Sequence, residues 1–352
     1  IIDHKKIMNT YSDPVAQRRG NTSSSVVDRW RTTTETTANL VDQTINTTSL
    51  FDQFGNAMDQ IQVTKVYDGT ALVEASKRVM HNSSYNTRGD AAAQTVTSYL
   101  VDFPLSVRTE TLVSYQEFTN RTYDSGHNIT NQMILTYDKA TVGKVLLDVQ
   151  ESRSIGFHSS GVALKQIIAT YSEYDSETGT GKNLLDVKVI ENSNIGSQGN
   201  VGTSVIIKYS SCTTASGGTG AITPTGAIDK QTITTLLFDI RGNATSQNIV
   251  KEYYDPAVVT NDGFVFSESQ QISNLSFDLH DRATHSQVKN YTAVAMTIAS
   301  FRDMQDITYS SYDQFGNALL QTIDSYTTQT VDALNIIDHK KIMNTYSDPV
   351  AQ

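Results

Sequence analysis

The chain has one cysteine, one tryptophan and five prolines in 352 residues. A lone Cys212 excludes a disulfide framework within the chain. Scarce proline is compatible with long paired strands, because proline removes a ladder donor wherever it stands; Pro224 and Pro256 read as connection residues. No apolar run reaches the roughly 18 residues that a bilayer-spanning helix needs, so no transmembrane helix is expected in this segment. Basic charge is also short: 27 Lys and Arg stand against 37 Asp and Glu, a formal net charge of -10, and nucleic acid is not an expected partner. Hydrophobic residues make up 38% and aromatics 8%, with Thr, Ser, Asn and Gln in the place of a core, which predicts a thin sheet rather than a globule.

What is present is repetition. Residues 1–17, IIDHKKIMNTYSDPVAQ, recur letter for letter at 336–352, an offset of 335 residues. Residues 1–335 are read as one full period and 336–352 as the start of the next identical one. The chain opens on Ile1 and stops at Gln352, just before the place where the first copy continues Arg18-Arg19-Gly20-Asn21, so both ends are expected to be cuts inside a longer repeating polymer. A catalytic site needs unlike residues converging once, which many copies of one turn do not supply; neither an enzyme nor a cofactor is expected.

An older repeat lies inside the period. An aromatic, then Asp, then Gly-Asn at the fifth and sixth places begins near residues 11, 51, 85, 123, 157, 195, 238, 277 and 312, nine units spaced 34 to 43 residues apart. The best copies are FDQFGNAMDQ from Phe51, FDIRGNATSQ from Phe238 and YDQFGNALLQ from Tyr312. YNTRGDAAAQ from Tyr85, YDSGHNITNQ from Tyr123 and FHSSGVALKQ from Phe157 are more worn. FDLHDRATHS from Phe277 has lost the glycine, and IGSQGNVG around Ile195 has lost the aromatic. At Tyr11, YSDPVAQRRGN carries an insertion ahead of Gly20-Asn21.

Each unit reads as a β-hairpin. Its arms, such as Leu40 to Ile45 and Ala57 to Val63, carry the β-branched and apolar types that suit a pleated surface. Between them Asp can accept a bond from a backbone N–H two residues on, and Gly and Asn tolerate positive φ. The turn residues are Asp52, Gly55 and Asn56; Gly89; Asp124; Gly161; Gly199 and Asn200; Asp239, Gly242 and Asn243; and Asp313, Gly316 and Asn317. Helix competes for Ala71 to Val79 and for Ala91-Ala92-Ala93, but capping boxes followed by apolar spacing at three and four residues are missing. The predicted fold class is all-β: a continuous antiparallel β-hairpin array coiling into a spiral sheet, tube or solenoid-like filament. Eighteen strands make a ribbon roughly 85 Å wide, and open sheets beyond about ten strands curl, split or close. One period wound into a single turn gives a circle on the order of 27 Å across.

Tyr123-Asp124, Tyr312-Asp313 with Gly316, and the variants Phe51-Asp52 with Gly55 and Phe238-Asp239 with Gly242 bring a family into view. The chain resembles the YD-repeat proteins, the Rhs-like and teneurin-like chains whose Tyr-Asp-x-x-Gly hairpins join into one spiralling β-sheet. It has Asn after the glycine where that family tends to have Arg, and a wider unit spacing. The long near-identical array is also similar to giant tandem-repeat bacterial surface and fibre proteins. The resemblances imply a structural protein: a repeat segment of an extracellular filament, tube or cell-surface stalk whose partners are copies of the same repeat. An adhesin or a cargo-enclosing YD-repeat shell is the alternative.

Several motifs have a plainer reading. Arg88-Gly89-Asp90 spells the integrin-binding tripeptide but falls on a repeat turn. Gly179-Thr180-Gly181-Lys182 imitates the tail of a phosphate loop, yet the opening glycine is missing and Asn183 stands where Ser or Thr must hold magnesium, so it reads as a turn. His280 and His285, near Asp278 and Asp281, would point to opposite faces of a strand, and no metal is expected. Cys212 reads as a free thiol in the loop SSCTTASGGTGAITPTG. Eight Asn-x-Ser/Thr sequons are mostly the chance product of such a composition. A recurrent Gln, nine places after the aromatic, occurs at Gln60, Gln94, Gln132, Gln166, Gln247 and Gln321. Equivalent positions lie two strands apart, roughly 9 to 10 Å, too far for a direct amide ladder. Either these residues bond to the intervening strand or backbone and fix a register that weak apolar contrast leaves loose, or they solvate a polar face.

Overall fold

A computed structural model describes residues 4–214 and 220–346. It is an antiparallel β-hairpin array, and the strands belong to one 19-stranded sheet. Each described register joins strands that follow one another in the chain. None returns from the last strand to the first, so the ladder is open rather than closed into a barrel. By compactness the chain divides into Ile1–Val149 and Gln150–Gln352.

The first unit holds β1 (His4–Thr10), α1 (Pro14–Arg19), β2 (Ser24–Trp30), β3 (Leu40–Phe51), β4 (Ala57–Tyr67), β5 (Leu72–Tyr85), β6 (Ala91–Asp102), β7 (Thr109–Tyr123) and β8 (Ile129–Tyr137). Strand β9 (Leu146–Phe157) begins in it and runs into the second. The second holds β10 (Ala163–Asp175), β11 (Thr180–Ile195), β12 (Val201–Thr214), β13 (Ile222–Phe238), β14 (Ala244–Tyr254), β15 (Phe264–Phe277), β16 (Ala283–Tyr291), β17 (Phe301–Tyr312), β18 (Ala318–Tyr326) and β19 (Ile336–Met343). Strands β3, β9 and β19 start at the apolar pairs Leu40-Val41, Leu146-Leu147 and Ile336-Ile337.

Burial follows the two-residue period of a strand. Asn131, Met133 and Leu135 are buried on β8, and Ile167, Ala169 and Tyr171 on β10, while the residues between them are only half-buried. Each fully buried Val or Met, such as Val101, Met133, Val149 and Met304, stabilises the fold by about 1.5–3 kcal/mol. Ala71 to Val79 and the three alanines at 91–93 fall at or within β5 and β6, where pairing on both sides overrides the helical propensity of alanine.

Three expectations are corrected. The insertion after Tyr11 is a short helix, α1, joining β1 to β2: Asp13 Oδ1 accepts from Val15 N and Ala16 N at 2.8 Å, Pro14 opens the helix, and Gly20 closes it at φ 76°. Cys212 is not in a loop but in β12, half-buried. Pro224 is not in a connection but in β13, opposite Cys212. Among the described residues the β13–β14 register begins at Asp229, beyond Pro224, so the proline takes no donor from that ladder. Part of the SSCTTASGGTGAITPTG segment, 215–219, lies outside the described residues.

Candidate functional site: turn locks and a polar ladder

Five of the repeat turns, those opened by Phe51, Tyr123, Phe238, Phe277 and Tyr312, are each built by one carboxylate. At the Phe51 unit, Asp52 N donates to Asn56 O (2.9 Å) and Gly55 N to Asp52 O (3.1 Å). Asp52 Oδ1 accepts from Phe54 N (2.9 Å) and Asn56 N (2.8 Å), and Oδ2 accepts from Asn56 Nδ2 (2.8 Å). Gly55 sits at φ 91°, a conformation glycine adopts without a steric penalty. Asp239 with Asn243 and Asp313 with Asn317 repeat the lock, with Gly242 at φ 96° and Gly316 at φ 89°. Asp124 and Asn128 do the same with His127 at φ 63° in the glycine place. At Tyr85 the pair is exchanged: Asn86 Nδ2 donates to Asp90 Oδ2 (2.9 Å) while Asn86 Oδ1 caps the N–H groups of Arg88 and Asp90. Arg282 Nε replaces the amide against Asp278 Oδ2 (2.7 Å) in the Phe277 unit. The worn turns at Gly161 and at Gly199-Asn200 keep the two backbone bonds, from His158 to Val162 and from Gly196 to Asn200.

Neighbouring turns touch. In the first unit Arg88 donates to Asp124 O (2.6 Å), and Asp90 meets both Arg88 and His127. In the second, Arg241 donates to Leu279 O (2.8 Å) and pairs with Asp281 (2.7 Å), and Arg282 donates to Asp313 O (3.2 Å). The Asn86 amide, then His127, hold the Asp90 carboxyl down to about 2, with Arg88 adding to them against the opposing effect of burial. The Arg88-Gly89-Asp90 side chains are thus committed to the stack of turns. Further ties run back to the residue that follows the preceding turn. Tyr123 Oη donates to Ala91 O (2.5 Å), and Tyr85 and Tyr312 reach Ala57 O and Ala283 O.

The recurrent glutamines face partners on the adjacent strand. Gln94 Nε2 donates to Asn82 Oδ1 (2.7 Å), Asn82 Nδ2 to Gln60 Oε1 (3.4 Å), and Gln60 Nε2 to Thr48 Oγ1 (3.4 Å). Arg121 then bridges Gln94 Oε1 (3.2 Å) and Gln132 Oε1 (3.3 Å), so one polar ladder crosses β3 to β8. In the second unit Gln166 donates to Ser154 (3.4 Å) and Gln247 to Thr235 (3.0 Å), while Gln321 stands opposite Tyr309. Ser204 and Ser286 take the glutamine place against Asn192 and Asn274, each at 2.7 Å. The partner position, three residues before the aromatic, went unnoticed in the sequence; aligning Thr48, Asn82, Ser154, Asn192, Thr235 and Asn274 exposes it as polar in those units, with Met8 and Tyr309 as departures. Its asparagines also clamp backbone: Asn82, Asn192 and Asn274 donate to Ala57 O (2.9 Å), Ala163 O (3.0 Å) and Ala244 O (2.8 Å). Five sequon asparagines, Asn82, Asn128, Asn243, Asn274 and Asn290, have the Nδ2 that a glycan would occupy engaged in these or similar bonds.

The other candidates separate. Gly179 (φ 69°) closes the β10–β11 turn, and a Cβ on Gly181 would lie 2.2 Å from the Tyr171 ring, so this glycine serves as a seat for an aromatic. His280 lies in the Phe277 turn, and His285 lies on β16 beside Asp306 (2.9 Å). Among the described residues no group of three or more His, Cys, Asp or Glu is placed to hold a metal ion, and no helix is long and apolar enough to cross a membrane. Buried Glu151 and Arg153 pair at 2.9 Å, and Arg153 Nε donates to Gly220 O (2.7 Å). Burial, with the Glu151 charge adding to it, pushes the Cys212 thiol up against a hydrogen bond from Tyr171. The chain matches no family model and no curated protein.

Proposed function

We propose that the chain is a mechanical repeat, a segment of an extracellular filament, tube or cell-surface stalk, whose sheet coils as further periods are added. The observation that carries this reading is the turn-on-turn contact. Hairpins such as those of Phe51, Tyr85, Phe238 and Tyr312 are locked internally by Asp and Asn, and several turns are tied to the next through Arg88, Arg241 and Arg282, so an added unit brings bonds that hold it. Such nearest-neighbour construction has no intrinsic end. The spiral sheet of YD-repeat chains, which these turns resemble, suits the same role. An adhesin acting through Arg88-Gly89-Asp90 is disfavoured because Asp90 is buried.

Immunogold electron microscopy with antibodies to this chain, on the cells that carry it, is the test. Label along extended surface fibres is expected. Label inside the cell or on discrete particles overturns the proposal.

A further inference from the structure

In the second unit one carboxylate holds both an amine and an amide. Lys230 on β13 stands opposite Glu252 on β14 in the ladder, and Lys230 Nζ lies 2.8 Å from Glu252 Oε2. The other oxygen, Oε1, accepts from Asn261 Nδ2 at 2.7 Å. The Lys230 and Glu252 side chains are only 16% and 12% exposed, and Nζ sits 4.8 Å from the centroid of the buried Phe264 ring. Tyr254 meets that ring edge-on at 5.6 Å. The backbone delivers the amide: Asn261, Asp262 and Gly263 follow one another at φ 51°, 52° and 86°, a left-handed run that folds the β14–β15 connection back on itself. A Cβ on Gly263 would lie 2.5 Å from the Tyr254 ring, so this bend is pressed onto the aromatic pair. Asn261 Nδ2 also donates to Phe264 O at 2.9 Å, which occupies both amide hydrogens and fixes the plane of the group.

The geometry points to an intramolecular amide bond between Lys230 Nζ and Asn261 Cγ, with Glu252 as the group that moves the protons. An ion pair needs only Lys230 and Glu252; the amide held on the second oxygen supplies an electrophile beside the amine. Glu252 takes a proton from the Lys230 ammonium, the freed lone pair of Nζ attacks Asn261 Cγ, and the Cγ–Nδ2 bond breaks. Nζ keeps one hydrogen as the new amide N–H, and its other two protons leave with Nδ2 as ammonium, the first of them by way of Glu252. Charge balances and nothing is oxidised or reduced. Phe264 covers the amine, while Asn261 is exposed and gives the ammonium a way out to solvent. The product ties β13 covalently to the β14–β15 connection, across the strand between them. The bond forms within one chain and holds whether or not that chain builds a filament.

Intact-mass spectrometry of the purified chain, with its far-UV sheet signal verified, is the test. The mass is expected to fall short of the sequence mass by one ammonia, and trypsin is expected to release peptides 209–241 and 252–282 joined to each other and uncut after Lys230. Lys230→Arg keeps a cation opposite Glu252 but offers no amine nucleophile, and it should show the full sequence mass with peptides 231–241 and 252–282 separate. Glu252→Gln keeps the shape of the side chain without its proton acceptor and should also stay unlinked. A folded parent chain with the full sequence mass overturns the proposal, as does a loss of ammonia without the joined peptides. A Glu252→Gln chain that links as completely as the parent overturns the part given to the carboxylate.

Discussion

Gln94 donates from Nε2 to Asn82 Oδ1 at 2.7 Å, and the two residues stand directly opposite each other in the β5–β6 register. Asn82 also donates to Ala57 O at 2.9 Å, so it joins three strands. Gln94→Ala is expected to destabilise the chain by about 1 kcal/mol and Asn82→Ala by about 2 kcal/mol, since the second leaves more polar groups unsatisfied. The double variant should fall short of the sum by at least about 0.5 kcal/mol in urea unfolding. Strict additivity would show that the ladder does not couple the strands.

The turn stack predicts an acid response. The Asp90 carboxyl, held down to about 2 by the Asn86 amide and then by His127, has a folded value below the ordinary one of about 3.9. Its stabilisation is fully present above the ordinary value and is lost as pH falls from there through about 2. The urea midpoints of the parent and Asp90→Asn chains should therefore differ most above pH ~4 and converge toward pH ~2. A difference that stays constant with pH would show that the Asp90 charge contributes nothing.

Two glycines with the same backbone conformation should respond differently. Gly55 and Gly316 lie at φ 91° and 89°, but a Cβ on Gly55 would be 2.7 Å from Asn21 Oδ1, whereas nothing lies within 4 Å at Gly316. Alanine at either site meets the left-handed penalty of about 1–2 kcal/mol. Gly55→Ala should lose roughly a further 1 kcal/mol for overpacking, and Asn21→Ala in that background should recover it. Equal melting shifts for the two glycine variants would show that neighbouring turns are not in contact.

Cys212 should be a poor nucleophile. Burial raises its thiol, with Glu151 nearby working in the same direction, and only the thiolate reacts with a disulfide reagent. Labelling of the native chain at pH ~8 is expected to be on the order of tenfold slower than in denaturant. Equal rates would place the thiol in open solvent.

The helix offers a simple control. Asp13 caps Val15 N and Ala16 N, and Asp13→Ala should weaken the helix locally, seen as faster amide exchange over 15–20 with the β3–β8 ladder unchanged.

The eight described hairpin turns after Tyr11 were legible because their chemistry is local: Asp52 satisfies N–H groups two and four residues on, so a short motif carries the whole instruction. The strand start at Leu40 was legible from the apolar and β-branched run that it opens. The helix α1 was hidden by the alignment itself, which forced Asp13-Pro14 and Gly20 into the turn pattern although they are a cap, a first-turn proline and a closing glycine. Cys212 and Pro224 were misplaced because Ser, Thr and Gly are loop-like in composition, while the pairing that makes them strand comes from the facing strand. The polar partners of the glutamines lie twelve residues away, across a turn. They become visible only when the hairpin is closed, as with Gln94 and Asn82.

Helix α1 breaks the hairpin rhythm at one described place in a 335-residue period. A polymer of such periods would carry graduations, one short helical mark for each copy of the gene segment. Its contour length would then come in whole steps, countable by the number of Asp13-Pro14 caps.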